Sequence, residues 1–138
     1  MNTIKYIFED VNFSKSKLYP KYKFVDFITK KKKYAHSISF IFCSDNYLKK
    51  INSEFLKHEY LTDVITFNYN VKKRISGDIF ISADRVKDNA NTYNIKFKKE
   101  LARVMIHGVL HLIGYDDKTE KDKKLMEKNE NEFLKFII

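Results

Sequence analysis

The sequence predicts an α/β (α+β) fold, a single compact domain over residues 1–138 in which a small sheet of about four strands is covered by helices. Three observations lead there. Four short runs rich in β-branched and aromatic residues are set apart by polar or turn segments. Between and after them, apolar residues recur at i, i+3, i+4 and i+7, the helical period. Finally, 138 residues with 43% hydrophobic content suffice for a core without disulfide or metal staples, and no repeat, low-complexity segment or interdomain linker interrupts them.

Residues 3–8 alternate Ile4 and Tyr6 with Lys5 and Ile7 and read as the first strand. After a polar stretch through Lys17, Pro20 is acceptable in a first helical turn, and Tyr22, Phe24, Val25, Phe27 and Ile28 supply an apolar helical face. The lysines at 30–33 end it. Residues 36–42 place Ile38, Phe40 and Phe42 on one face with Ile41 opposite, a second and fairly buried strand. Ser44 or Asp45 can cap a helix whose Tyr47, Leu48, Ile51 and Phe55 fall on one side. Residues 61–67 form a third, β-branched strand, 68–73 a turn, and 75–82 a fourth strand. Gly77 inside the last signals a bulge or a close approach to the backbone. Ser82 can cap a helix carrying Ala83, Val86, Ala90 and Tyr93. The next helix runs from about 98 to 113, and Thr119 starts a terminal one with Leu125, Met126, Phe133 and Phe136 inward.

The helix over 98–113 carries the chemistry. Leu101, Val104, Met105, Gly108, Val109 and Leu112 make its core stripe, and His107 and His111 lie at the stripe's edge, one turn apart on one face. Burying two imidazoles there costs free energy unless they are satisfied, and one metal ion satisfies both. Gly114 follows the last periodic residue and suits a left-handed cap that stops the helix and reverses the chain. The reversal can carry Asp117 back. The set His107, His111 and Asp117 has three protein ligands and leaves one coordination position for water, as in catalytic zinc sites. Such a water ionises near neutral pH and attacks an ester, so hydrolysis is the expected reaction. A protease built on His-Glu-x-x-His is disfavoured, because Gly108 stands where that mechanism needs its glutamate base. A glycine there instead lets a strand pack close to the helix.

A net charge of +9 and a pI near 9.5 suit a polyanionic partner, although 24 Lys against three Arg also fits a compositional bias of the gene. Cys43 is the only cysteine, so neither a disulfide framework nor a thiolate zinc cluster is available. Residues 1–6 show no secretory pattern and no run reaches membrane-spanning length, which leads us to expect a cytoplasmic, soluble chain with no membrane partner.

The run over 107–116 resembles the YbeY-type bacterial endoribonucleases, whose hallmark is close to His-Gly-x-Leu-His-Leu-x-Gly-Tyr-Asp-His, and matches it position by position. The resemblance extends to Ile51, Asn52 and Phe55, to Thr62, Asp63, Val64, Ile65, Thr66 and Phe67, and to Gly77, Asp78, Ile79 and Ser82. It implies a zinc-dependent, single-strand-specific endoribonuclease acting in ribosomal RNA processing, including maturation of the 16S RNA 3′ end, and in ribosome quality control. The implied partners are single-stranded ribosomal RNA and the small ribosomal subunit, with no DNA expected.

Two departures stand out. The family's third ligand is usually His, and Asp117 in its place favours harder metals such as manganese beside Zn2+. The family also usually carries an Arg where this chain has Leu56, so a cation for phosphate or transition-state charge is either missing or supplied from elsewhere, with Lys57 as one candidate. Asp116 can replace Asp117 as ligand or act as a base; the resemblance favours Asp117. Asp63 and Asp78 are candidates for hydrogen-bonding the metal histidines, and Tyr60, Phe67 and Tyr115 for stacking on unpaired bases, with capping and core roles as the competing readings. His36 and His58 have no partner spacing. The alternatives to a nuclease are a ribosome-assembly factor that binds RNA around a structural metal, and a metallohydrolase of small esters.

Overall fold

The computed structural model describes residues 3–56 and 62–137. Four strands, β1 (Ile4–Phe8), β2 (Tyr34–Cys43), β3 (Val64–Asn68) and β4 (Arg74–Ser82), form one sheet in the order β1-β2-β4-β3. β1, β2 and β4 run parallel, and β3 is antiparallel at the far edge. Five α-helices complete the α+β domain: α1 (Lys21–Lys30), α2 (Asp45–Leu56), α3 (Ala83–Thr92), α4 (Phe97–Ile113) and α5 (Glu120–Ile137).

Register explains which side chains meet. Tyr6, Phe40, Ile79 and Thr66 stand in one row across the sheet, and Phe8, Phe42, Ile81 and Val64 in the next. On this face α1, α4 and α5 close the main core, in which Phe24, Phe40, Phe42 and Phe133 are the largest fully buried side chains. The opposite face buries Ile41, and beside it Cys43, Leu48 and Ile65 form a smaller cluster under α2. β2 is therefore covered on both faces along its second half, which is why residues 40–43 read as a continuous apolar run rather than an alternation.

Local signals fix the ends. Ser44 Oγ accepts from the Tyr47 N–H (3.1 Å) and Ser82 Oγ from the Arg85 N–H (3.1 Å), each capping a helix. Thr119 and Asp122 exchange side-chain-to-backbone hydrogen bonds as a capping box at the start of α5. Pro20 sits at the cap of α1 rather than in its first turn, and residues 15–17 of the polar stretch form a short 3₁₀ turn.

Several expectations change. Phe55 is exposed (63%), because the face of α2 that meets the sheet presents Leu48 and Asn52 instead. Tyr93 and Leu125 are exposed too: Tyr93 lies just past α3, and the inward stripe of α5 runs through Met126, Glu130, Phe133 and Ile137. Phe136 is half-buried at the core's margin. Asn68, expected in the turn, closes β3; β2 begins two residues earlier than expected; and the third strand starts at Val64 rather than 61. Leu61 itself, with Lys57, His58 and Tyr60, lies outside the described residues.

Two glycines set how α4 lies on the sheet. A Cβ on Gly77 would stand 2.4 Å from the Phe67 carbonyl oxygen and 2.9 Å from a Leu112 methyl, so the close approach, not a bulge, is what Gly77 provides. The register shift in this strand pair falls at Ala35/Ser37 on β2. A Cβ on Gly108 would stand 2.6 Å from Ile79 Cγ2. α4 thus rests directly on β4, with its histidines turned toward the β3 edge.

Candidate metal centre

α4 ends as its sequence demands. Gly114 has φ +123°, and the Tyr115 N–H donates to the Leu110 carbonyl (2.9 Å) while the Gly114 N–H donates to that of His111 (3.1 Å), a Schellman-type closure. The Asn70 side-chain amide donates to the Leu112 carbonyl (2.6 Å), pinning the β3–β4 turn to this helix end. The reversal returns Asp117 to the helix. Its Oδ2 lies 3.3 Å from His107 Nε2 and 3.5 Å from His111 Nε2, and the two Nε2 atoms are 3.0 Å apart. All three residues are half-buried, whereas Asp116 is exposed and outside the cluster.

The other ring nitrogens determine what this cluster is. His107 Nδ1 faces a Glu130 carboxylate oxygen at 2.5 Å, and His111 Nδ1 faces the Tyr115 carbonyl at 3.0 Å. Both partners accept only, so each neutral imidazole carries its proton on Nδ1 and presents a bare lone pair at Nε2. Two lone pairs and a carboxylate oxygen then converge with no hydrogen between them. A divalent cation satisfies all three. Four-coordinate ligand atoms at ~2.0–2.2 Å from an ion stand roughly 3.3–3.6 Å from one another, close to the 3.0, 3.3 and 3.5 Å found. The donor set therefore fits a small divalent ion with one position left over.

Beneath the cluster runs an ionic chain. Arg103 donates through Nε (2.8 Å) and Nη2 (2.5 Å) to the two oxygens of Glu100, and through Nη1 to Glu130 Oε1 (3.3 Å), while Glu130 Oε2 faces His107. Both glutamates are buried, Glu100 completely. The hydrogen bonds it donates to Glu100 hold the Arg103 guanidinium well above its usual range, against the opposing pull of burial. For His107, burial pulls the pKa down; the hydrogen bond and charge of Glu130, with Asp63 and Asp117, more than offset it and leave it above the ordinary 6.5.

Glu100, Arg103 and Glu130 were not among the sequence candidates. The signal was present: Glu100, Arg103, His107 and His111 fall at i, i+3, i+7 and i+11, a polar stripe down an otherwise buried helix. Glu130 likewise interrupts the inward stripe of α5. Of the expected histidine partners, Asp78 instead accepts from the Tyr69 hydroxyl (3.4 Å), and Asp63 lines the neighbouring cavity, its carbonyl accepting from the Ser82 N–H. Tyr115 and Phe67 are half-buried and packed against the two cores. His36 is exposed.

Two cavities meet at the cluster. The smaller, about 270 Å³, lies toward β3 and is lined by Asn52, Leu56, Thr62, Asp63 and Thr66; among the described residues no Lys or Arg lines it. Leu56 therefore does stand at the site. The larger, about 570 Å³, lies toward α5 and includes Tyr93, Arg103, Lys123 and Glu130.

The family described as Endoribonuclease YbeY matches residues 10–137. The chain belongs to the YbeY family. A relative from Flavobacterium johnsoniae named Endoribonuclease YbeY is 50% identical over 105 residues, 76% of each chain. One of the same name from Cytophaga hutchinsonii is 54% identical over 109 residues, 78% of this chain and 76% of that one. In three dimensions the solution structure of a Thermotoga maritima protein aligns over 97% of this chain and 88% of its own, with a TM-score of 0.69 and 29% identity. The segment whose side chains converge here lies within the residues that the family matches.

Proposed function

We propose that this chain is a metal-dependent endoribonuclease that cuts single-stranded RNA in ribosomal RNA processing, including 16S 3′ end maturation, and in ribosome quality control. The observation that carries the reading is the convergence of two imidazole nitrogens and a carboxylate oxygen at the end of α4 in a chain of the YbeY family. The relatives' name, Endoribonuclease YbeY, supports RNA as the substrate. His107, His111 and Asp117 would hold one ion, zinc by the softness of two imidazoles, with manganese admitted by the carboxylate.

An ion held there supplies Lewis acidity toward a phosphodiester and a water of lowered pKa. The chain's own residues do the rest. Glu130 and the Tyr115 carbonyl orient the two imidazoles, and the Gly114 reversal delivers Asp117. The cavity toward β3 offers Asn52, Thr62 and Thr66 as polar groups beside the cluster. A net charge of +9 draws a polyanion to the surface. Three protein donors beside an open cavity favour catalysis over the closed four-ligand shell of a structural ion, so the assembly-factor reading has no observation on its side. The proposal extends to the small ribosomal subunit as partner and to the cytoplasm as the site of action. No helix among the described residues is long and apolar enough to cross a membrane.

The test is multiple-turnover cleavage of a labelled single-stranded ribosomal RNA fragment by chelated protein before and after zinc or manganese is restored. Same-length DNA and duplex RNA serve as controls. Cleavage of the single strand only, and only with metal, is expected. Turnover that survives both chelator and the Asp117→Ala substitution would sink the reading.

A further inference from the structure

The contact of Glu130 with His107 is the last link of a buried ionic chain, Glu100–Arg103–Glu130, that runs behind the metal site. From its geometry, and resting on the metal-site reading above, we infer that Glu130 is a positioning residue for His107 and that Arg103 aims Glu130 rather than contacting phosphate. The division of Glu130 between two partners is the key. Its Oε1 takes Arg103 Nη1 at 3.3 Å and its Oε2 takes His107 Nδ1 at 2.5 Å, so the carboxylate is fixed from one side and fixes the ring on the other. Arg103 is itself held as a fork by both oxygens of Glu100, which also receives the Asn89 side-chain amide at 3.3 Å. The chain ties α3, α4 and α5 together behind the cluster.

Two consequences follow. Glu130 locks His107 as the Nδ1–H tautomer, which leaves Nε2 bare toward His111 and Asp117. Arg103 lines the cavity beside the site and is the obvious replacement for the cation missing at Leu56, but three of its hydrogen bonds and most of its charge are already committed to two buried carboxylates. Its planar fork matches Glu100 in a way a lysine cannot reproduce. His111 supplies an internal reference, since a backbone carbonyl, not Glu130, sets its tautomer.

The experiment pairs metal affinity with ring tautomers. Zinc and manganese affinities are measured by competition with a chromophoric chelator, and the imidazole nitrogens of metal-free protein are read by 15N NMR, for wild type, Glu130→Gln, Glu130→Ala and Arg103→Met. Glu130→Gln keeps length and an acceptor oxygen and serves should the alanine variant fail to fold. Removing such a hydrogen-bond partner of a metal ligand typically costs 10- to 100-fold in affinity. We expect about that loss in Glu130→Ala and a smaller one in Glu130→Gln and Arg103→Met. The His107 nitrogens should shift toward mixed tautomers while those of His111 stay put. Affinity and tautomers unchanged across the folded variants would overturn the proposal. So would an Arg103→Met protein that binds metal normally but has lost affinity for single-stranded RNA, which would make Arg103 a phosphate contact. Because neither readout requires cleavage, an inactive wild type would count against the nuclease reading alone.

Discussion

Replacing Gly108, which stands between the two clustered histidines, with alanine sets two opposing effects against each other. On helix propensity alone the change stabilises, by about 1 kcal/mol. The new Cβ, however, would lie 2.6 Å from Ile79 Cγ2 and 3.4 Å from Val64 Cγ2, where ordinary carbon contacts begin at roughly 3.5 Å. α4 and β4 must therefore part by close to an ångström at this point. Ile79 cannot yield easily: it is fully buried, β-branched and in the central part of β4, paired to Phe40 on one side and Thr66 on the other. Overpacking of this kind costs about 1–3 kcal/mol, and the stiffness of the neighbours puts Gly108 near the top of that range. The net expectation is a loss of about 2 kcal/mol, near 30-fold in the folding equilibrium. Urea unfolding of metal-free protein measures it, since bound ion would mask the change, and the midpoint should fall with the slope unchanged. A variant as stable as wild type, or more so, would refute the argument that Gly108 is there to let the helix lie on the sheet.

Gly114→Ala makes the complementary case: nothing lies within 4 Å of its Cβ position, but φ is +123°, so backbone strain alone should cost roughly 1–3 kcal/mol and loosen Asp117, seen as a lower unfolding midpoint together with weaker metal binding. Asp117→His installs the family's usual ligand and should raise the ratio of zinc to manganese affinity in a competition titration; an unchanged ratio would argue that Asp117 does not reach the ion. The Cys43 thiol is fully buried, and burial, followed by the charges of Asp10 and Glu9, pushes it up to about 12 from 9.0. It should resist alkylation at pH 8 until the protein unfolds. Because the folded state keeps that proton where the unfolded state has lost it, this contribution to stability is complete below pH 9 and is lost as the pH rises toward 12, a decline that Cys43→Ala should remove.

Much of this architecture was legible because its determinants are local. Strand periodicity, Ser44, Ser82 and Thr119 at helix starts, and Gly114 at a helix end each act within a few residues. The clustering of His107, His111 and Asp117 was legible for the same reason, since the three lie on one turn-connected segment. Periodicity was weaker at saying how wide a buried face is. Phe55 and Leu125 each neighbour a correct core position yet point to solvent, because the stripe that meets its partner is narrower than the apolar arc of the helix. Glu130 is the clearest omission. Its contact with His107 arises only when α5 packs on α4, 23 residues away in sequence, and no local rule sets that pairing.

The central claim is that RNA cleavage depends on an ion held by His107, His111 and Asp117. The most direct measurement titrates zinc or manganese into metal-free protein and follows bound metal per chain and cleavage of single-stranded RNA on the same samples, for wild type and His111→Ala. The account predicts one ion per wild-type chain, cleavage rising in proportion to occupancy, and loss of both in the variant. A metal-loaded wild type that binds RNA in a salt-sensitive way but leaves it intact, or cleavage that ignores occupancy, would contradict it.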